Sequence, residues 1–186
     1  VYHVSDRVTP FREGAAAVAL AAAKRSKRTL VIIPCGIKFW YVDDPIDELH
    51  ELMLQLEERF YLRPQPQQPL VDRIYRFAEA MLALKELDYL GHTRSGSVKE
   101  RVSGLTDAIL SRLEDRHQLA KKKATTPERV KTLRQRIIQQ DRAAINDSER
   151  RMLNEQMDDL FFVIQLYSYP GDYLRQQPTI ERLAET

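Results

Sequence analysis

Pro10-Phe11-Arg12-Glu13-Gly14, followed by the small-residue run at 15–23 and then by Leu30-Val31-Ile32-Ile33-Pro34, is the stretch on which the fold turns. It reads as a loop with a basic residue, a glycine turn, an alanine-rich helix and a strand stopped by proline. Alanine, valine and leucine at 15–23 favour helix and carry little bulk, so this helix is expected to lie close against a sheet. The cations from Lys24 to Arg28 suit the negative end of its macrodipole. Four aliphatic residues in a row at 30–33 predict a strand buried on both faces, as in a parallel sheet. Arg12 and the first free amides after Gly14 together make an anion pocket, with a phosphate or carboxylate as the natural guest.

Outward from this stretch, Ile37-Lys38-Phe39-Trp40-Tyr41-Val42 reads as a second short β segment. Its mixture of one cation and three aromatics suits a membrane interface or the mouth of an acyl-chain groove. The commoner role is a sheet edge whose aromatics pack on the next helix. Asp44 and Pro45 then open a helix with Ile46, Leu49, Leu52, Met53 and Leu56 at three- and four-residue spacing. Pro64, Pro66 and Pro69 among glutamines make 62–69 an extended linker. The expected class is therefore a helix-rich α/β protein: residues 1–61 the C-terminal part of an αβ domain, 62–69 a linker, and 70–186 an α-helical extension.

The extension shows four long helical patterns. Ile74, Phe77, Met81, Leu84 and Leu87 form one stripe, ended by Gly91. Ser95-Gly96-Ser97 introduces the next, with Val102, Leu105, Ile109 and Leu113. Thr126-Pro127-Glu128 opens a third through Val130, Leu133, Ile137 and Ile138. Ser148 is placed to cap a fourth through Met152, Met157, Leu160, Phe161, Ile164 and Leu166, broken by the aromatic turn Tyr167-Ser168-Tyr169-Pro170-Gly171-Asp172-Tyr173. Pro178-Thr179-Ile180-Glu181 opens a last helix. The apolar run at 160–164 is explained by core packing.

The segment Ser5-Asp6-Arg7-Val8-Thr9-Pro10-Phe11-Arg12-Glu13-Gly14-Ala15-Ala16 resembles the one that follows the Phe-Pro-Glu-Gly block of the glycerol-phosphate and lysophosphatidate acyltransferases. Val31-Ile32-Ile33-Pro34-Cys35-Gly36-Ile37 is similar to that family's fourth block, a hydrophobic strand ending in proline. The likeness spans residues 5–41. It implies transfer of a fatty acyl group from acyl-CoA or acyl-carrier protein to a glycerol-phosphate or lysophospholipid acceptor, in phospholipid synthesis. By this resemblance Arg12, Gly14 and the second basic residue Arg7 bind the acceptor phosphate. In the family a histidine, oriented by an aspartate five positions on, deprotonates the acceptor hydroxyl. No His-x-x-x-x-Asp exists here, because Val8, Gln55, Ser97 and Lys122 lie five beyond His3, His50, His92 and His117. Nor is there a Phe-Pro-Glu-Gly. The chain is expected to be a piece of a longer enzyme, inactive alone, with no catalytic residue of its own. The resemblance implies no metal or redox cofactor and a cytoplasmic place, peripheral to the membrane face.

Composition narrows the rest. At 186 residues and 43% hydrophobic there is material for one ordinary domain, or part of one with an extension. A net charge of +2 gives no global case for nucleic acid. The basic stretch (Arg112, Arg116, Lys121-Lys122-Lys123, Arg129, Lys131, Arg134 and Arg136) lacks the interleaved aromatics of a nucleic-acid reader. A solvated face explains it, with attraction to anionic lipid second. The lone Cys35 excludes an intrachain disulfide and reads as a small buried hydrophobe. His3 is a loop residue with no partner in the family spacing, and His50, His92 and His117 lie on polar helical positions without metal-ligand spacing. The rival to the enzyme reading is a non-catalytic helical interaction module, one that also binds anionic membrane surfaces.

Overall fold

The computed structural model describes residues 13–26, 28–119, 124–141 and 146–186. Their elements are all helices: α1 (Glu13–Arg25), α2 (Ile46–Arg59), α3 (Leu70–Leu90), α4 (Val98–Arg116), α5 (Thr126–Asp141), α6 (Asp147–Ser168), α7 (Tyr173–Gln176) and α8 (Ile180–Glu185). No strand occurs among the described residues, so the expected α/β class is corrected to all-helical. A helix closes its hydrogen bonds within itself, whereas a strand needs a neighbour to satisfy its amides and carbonyls. Residues 29–41 find no such neighbour among the described residues and run without regular structure. Ile33, Ile37 and Phe39 are each about four-fifths exposed, and Cys35 is exposed rather than buried. Helix α1 forms where alanine content predicts it, but it buries none of its residues, and the described residues hold no sheet for it to lie on.

The core belongs to α3–α6. Leu105, Ile109, Leu110 and Leu113 of α4 meet Leu133 and Ile137 of α5 and Leu153, Leu160 and Val163 of α6. This is the stripe packing that amphipathic periodicity predicts. The stops and starts are chemical. Ser97 and Glu100 form a reciprocal capping box at the head of α4. Gly91 ends α3 in a left-handed conformation at φ 77°. Asn146, not Ser148, caps α6 by accepting from the Glu149 amide at 2.9 Å.

The stripe expected on α3 is also rotated. Leu84 and Leu87 are exposed, while Arg73 and Glu86 are among the buried residues. Each of these charges is buried with its partner. Arg73 donates to Glu57 of α2 at 2.7 and 3.3 Å, tying α2 to α3 beside the Phe60–Phe77 edge contact. Glu86 accepts twice from Arg101 of α4, at 2.8 and 3.0 Å, and once from the Arg94 amide. The Arg101 guanidinium above all holds the Glu86 carboxyl below its usual range, against the opposing effect of burial. Between α4 and α5, Arg129 donates to Glu114 and Asp107.

Candidate functional site

Of the residues expected at the anion pocket, Arg7 and Arg12 lie outside the described residues. Gly14 falls in the first turn of α1 as a helical residue, not in a turn ahead of it. It is open, with nothing within 4 Å of where a Cβ would stand. His3 and the lysines 121–123 of the basic stretch also lie outside the described residues. The aromatics of 37–42 do not pack on a helix: Trp40 and Phe39 are solvent-facing, and the segment touches the remainder near Glu181. That carboxyl is held below its ordinary value by backbone and Thr179 hydrogen bonds, with the Tyr41 backbone and Lys38 adding to them.

The concave features sit instead on the bundle, and both open on one stripe of α3 and α6. Residues 74, 78, 81, 85 and 88 of α3 repeat at three- and four-residue steps, as do 155, 159, 162 and 166 of α6. The first hollow has a volume of about 260 Å³ and is almost wholly apolar. Ile74, Ala78, Met81 and Leu82 wall it on α3, Phe162 and Leu166 on α6, and Tyr169 and Tyr173 close its end. The last two rings meet edge to face at 5.8 Å. Gly171 belongs to this end for a steric reason. A Cβ there would meet the Lys99 amide nitrogen at 2.4 Å, so only glycine lets the turn lie on the head of α4. The Tyr169 hydroxyl is buried without a hydrogen-bond partner. Burial, and then the charge of Glu185, push that phenol upward.

The second hollow, of about 340 Å³, is polar and lies beyond a ring pair that divides the two. Tyr89 and Phe162 stack at 5.9 Å, 6° from parallel, with Lys85 Nζ at 5.7 Å from the Phe162 centroid and the Arg112 guanidinium at 5.1 Å from Tyr89. Tyr89 donates to Asp159 at 2.6 Å, and Arg112 donates to the other oxygen of the same carboxylate at 3.0 Å. Burial and the Asp159 contact raise the Tyr89 phenol well above its ordinary value. Beneath them His117, buried rather than on a polar face, faces Gln156 Oε1 through Nε2 at 2.6 Å. The Nε2 of Gln156 is left buried and unpartnered. No group of histidine, cysteine and carboxylate side chains suited to a metal occurs among the described residues.

Of the residues of these hollows, only Arg112 and Arg116 were legible as binding groups, within the basic stretch. Tyr169 and Tyr173 stand in the motif taken as an aromatic turn, and that excess of tyrosine was the available signal. Lys85, Tyr89 and Gln156 carry none, because only the crossing of α3 with α6 brings them together. Comparison with protein-family models, with curated proteins and with solved structures yields no match. No helix among the described residues is long and apolar enough to cross a membrane.

Proposed function

We propose that this chain serves fatty acyl transfer to a glycerol-phosphate-type acceptor, as part of an enzyme of phospholipid synthesis. The observation that carries the reading is the ordered pair of sequence blocks at 5–16 and 31–37. It is supported locally by the described helix α1, Glu13–Arg25, which follows Arg12 directly in sequence. The donor is acyl-CoA or acyl-carrier protein. Arg12, with Arg7, supplies charge-assisted hydrogen bonds to the acceptor phosphate at that helix start. The general base and its aspartate are not among residues 1–186, so the reaction requires them from outside this sequence.

Two assays test this. The 186-residue chain mixed with glycerol 3-phosphate and an acyl thioester gives no turnover. In an active enzyme that joins this chain to a His-x-x-x-x-Asp block, Arg12→Ala raises the acceptor KM by roughly tenfold or more, the worth of a hydrogen bond to a charged group. An unchanged KM for glycerol 3-phosphate removes the phosphate role from Arg12.

One observation favours a second reading, a helical interaction module that works at a membrane surface. Val31, Ile32, Ile33, Ile37, Phe39 and Trp40 are exposed together on one short segment beside Lys38. On that reading the chain binds vesicles containing anionic lipid, salt weakens the binding, and serine at Phe39 and Trp40 abolishes it.

A further inference from the structure

Residues 30–40 encode a turn that the structure leaves open. Leu30-Val31-Ile32-Ile33 and Ile37-Lys38-Phe39-Trp40 are two runs rich in β-branched and aromatic residues, separated by Pro34-Cys35-Gly36. A three-residue hairpin loop is a type I turn followed by one residue in the left-handed conformation. Proline suits the first loop position and glycine adopts the last without strain, which are the places of Pro34 and Gly36. Closing that loop sets Ile33 opposite Ile37, Ile32 opposite Lys38, Val31 opposite Phe39 and Leu30 opposite Trp40. One face then carries Val31, Ile33, Ile37 and Phe39 and no polar side chain. The other carries Lys38 and Trp40 beside Leu30 and Ile32. In the structure the segment has no regular conformation, Gly36 is not at positive φ, and the four residues of the apolar face are 73–84% exposed. A lone two-stranded hairpin is marginal in water until something covers its apolar face, which accounts for the open state.

The charge around the segment selects the cover. From Gly14 to Val42 the chain has five cations, Lys24, Arg25, Lys27, Arg28 and Lys38, and no carboxylate side chain. Such a run complements an anionic surface. We infer that on an anionic lipid surface residues 30–40 close into a β-hairpin, with the apolar face toward the acyl region and Lys38 and Trp40 at the headgroups. This rests on the second reading above, binding at a membrane surface, and adds the form that the segment takes there. An open backbone does not enter an apolar layer, because each unpaired amide and carbonyl is costly in it. Cross-strand pairing removes that cost for the inner groups, while the outer edges keep to the wet interface. A helix is the poorer solution: Val31, Ile32, Ile33 and Ile37 are β-branched, and Pro34 lacks a donor and clashes with the turn before it. Lys38 can lay its stem on the apolar layer and hold its ammonium among the phosphates, and an indole suits the same depth.

The probe is a unilamellar vesicle of phosphatidylcholine mixed with phosphatidylglycerol, added to the 186-residue chain. Cosedimentation measures binding, and residue-resolved amide exchange reads the bound conformation. In the hairpin the amides of Val31, Ile33, Ile37 and Phe39 point across the pair, and those of Leu30, Ile32, Lys38 and Trp40 point outward. The first four are expected to exchange at least about tenfold more slowly than the second four on these vesicles, and no such difference is expected without lipid. Gly36→Val forces a branched residue into the left-handed position and is expected to weaken vesicle binding by about tenfold. Asparagine tolerates that conformation, so Gly36→Asn stays within about threefold of the unaltered chain. Neither variant shifts the thermal melt of the free chain, because nothing lies within 4 Å of where the Cβ would stand and φ there is not positive. Binding that leaves all eight amides unprotected, or protects them without alternation as a helix would, overturns the hairpin while surface binding stands. Equal binding by Gly36→Val and Gly36→Asn overturns it too. Absence of binding to the mixed vesicles removes the membrane reading and the hairpin with it.

Discussion

Residues 29–42 and helix α4 are both rich in apolar side chains, yet one exposes them and the other buries them. Leu105, Leu110 and Leu113 have no solvent exposure at all, while Val31, Ile32 and Ile33 each show more than two-thirds of their surface. The difference lies in where each segment finds its hydrogen bonds. Helix α4 satisfies its backbone internally, so its one remaining demand is to cover a stripe, and α5 and α6 cover it. An apolar run of strand character has two demands, a neighbouring strand and a covered face, and the run at 29–40 finds neither among the described residues. Hydrophobic content therefore does not by itself make a core. A partner of the right geometry does.

Substitutions sharpen this contrast, beginning where the effect is largest. Glu57→Ala strips the partner from the buried Arg73 guanidinium and is expected to cost about 3–5 kcal/mol, the usual penalty for orphaning a buried charge. Urea denaturation followed by circular dichroism measures it, and a loss below 1 kcal/mol breaks the assignment of that pair to the α2–α3 joint. Leu113→Ala leaves a cavity in the fully buried stripe and is expected to cost about 2–5 kcal/mol. Ser97→Ala removes one half of the capping box and costs about 1 kcal/mol. Ile33→Ala falls at the bottom of the scale, within about 0.5 kcal/mol of the unaltered chain, because nothing covers that side chain. A loss of 2 kcal/mol or more at Ile33 erases the contrast.

Acid titration probes the bundle alone. The carboxyl of Glu86 is held low chiefly by Arg101, so its folded pKa lies beneath its unfolded one. The stabilisation it provides is complete above the unfolded carboxylate value of about 4.3 and is lost as pH falls through the folded value. In Glu86→Gln the acid limb of the stability curve flattens in that window, as measured by thermal melts at stepped pH. An identical acid limb in both proteins removes Glu86 from the linkage.

The legible part of the fold was the part governed by local rules. Helices α2 to α6 could be read from stripe spacing, and the Ser97 and Gly91 punctuation stood in the sequence because caps need particular side chains. The face of α3 was not legible. Its interior holds Arg73 and Glu86, which look like solvent residues until Glu57 and Arg101 arrive from other helices. The strand at 30–33 failed for the opposite reason: its composition suits a sheet, but whether a neighbour exists is a property of the rest of the chain. His117 was likewise hidden, since its partner Gln156 lies 39 residues away. The two hollows are products of helix crossing, and no window of sequence contains either.

Backbone amide hydrogen exchange bears most directly on the central contrast. The amides of Val31, Ile32, Ile33 and Ile37 should exchange at the rate of an unprotected peptide, within seconds at neutral pH. Those of Leu105, Leu113, Leu133 and Val163 should be slowed by several orders of magnitude, close to the limit set by global unfolding. Comparable protection across 30–37 in the isolated chain would mean that this segment is hydrogen-bonded after all, and the division between a self-sufficient bundle and an unpartnered apolar run would fail.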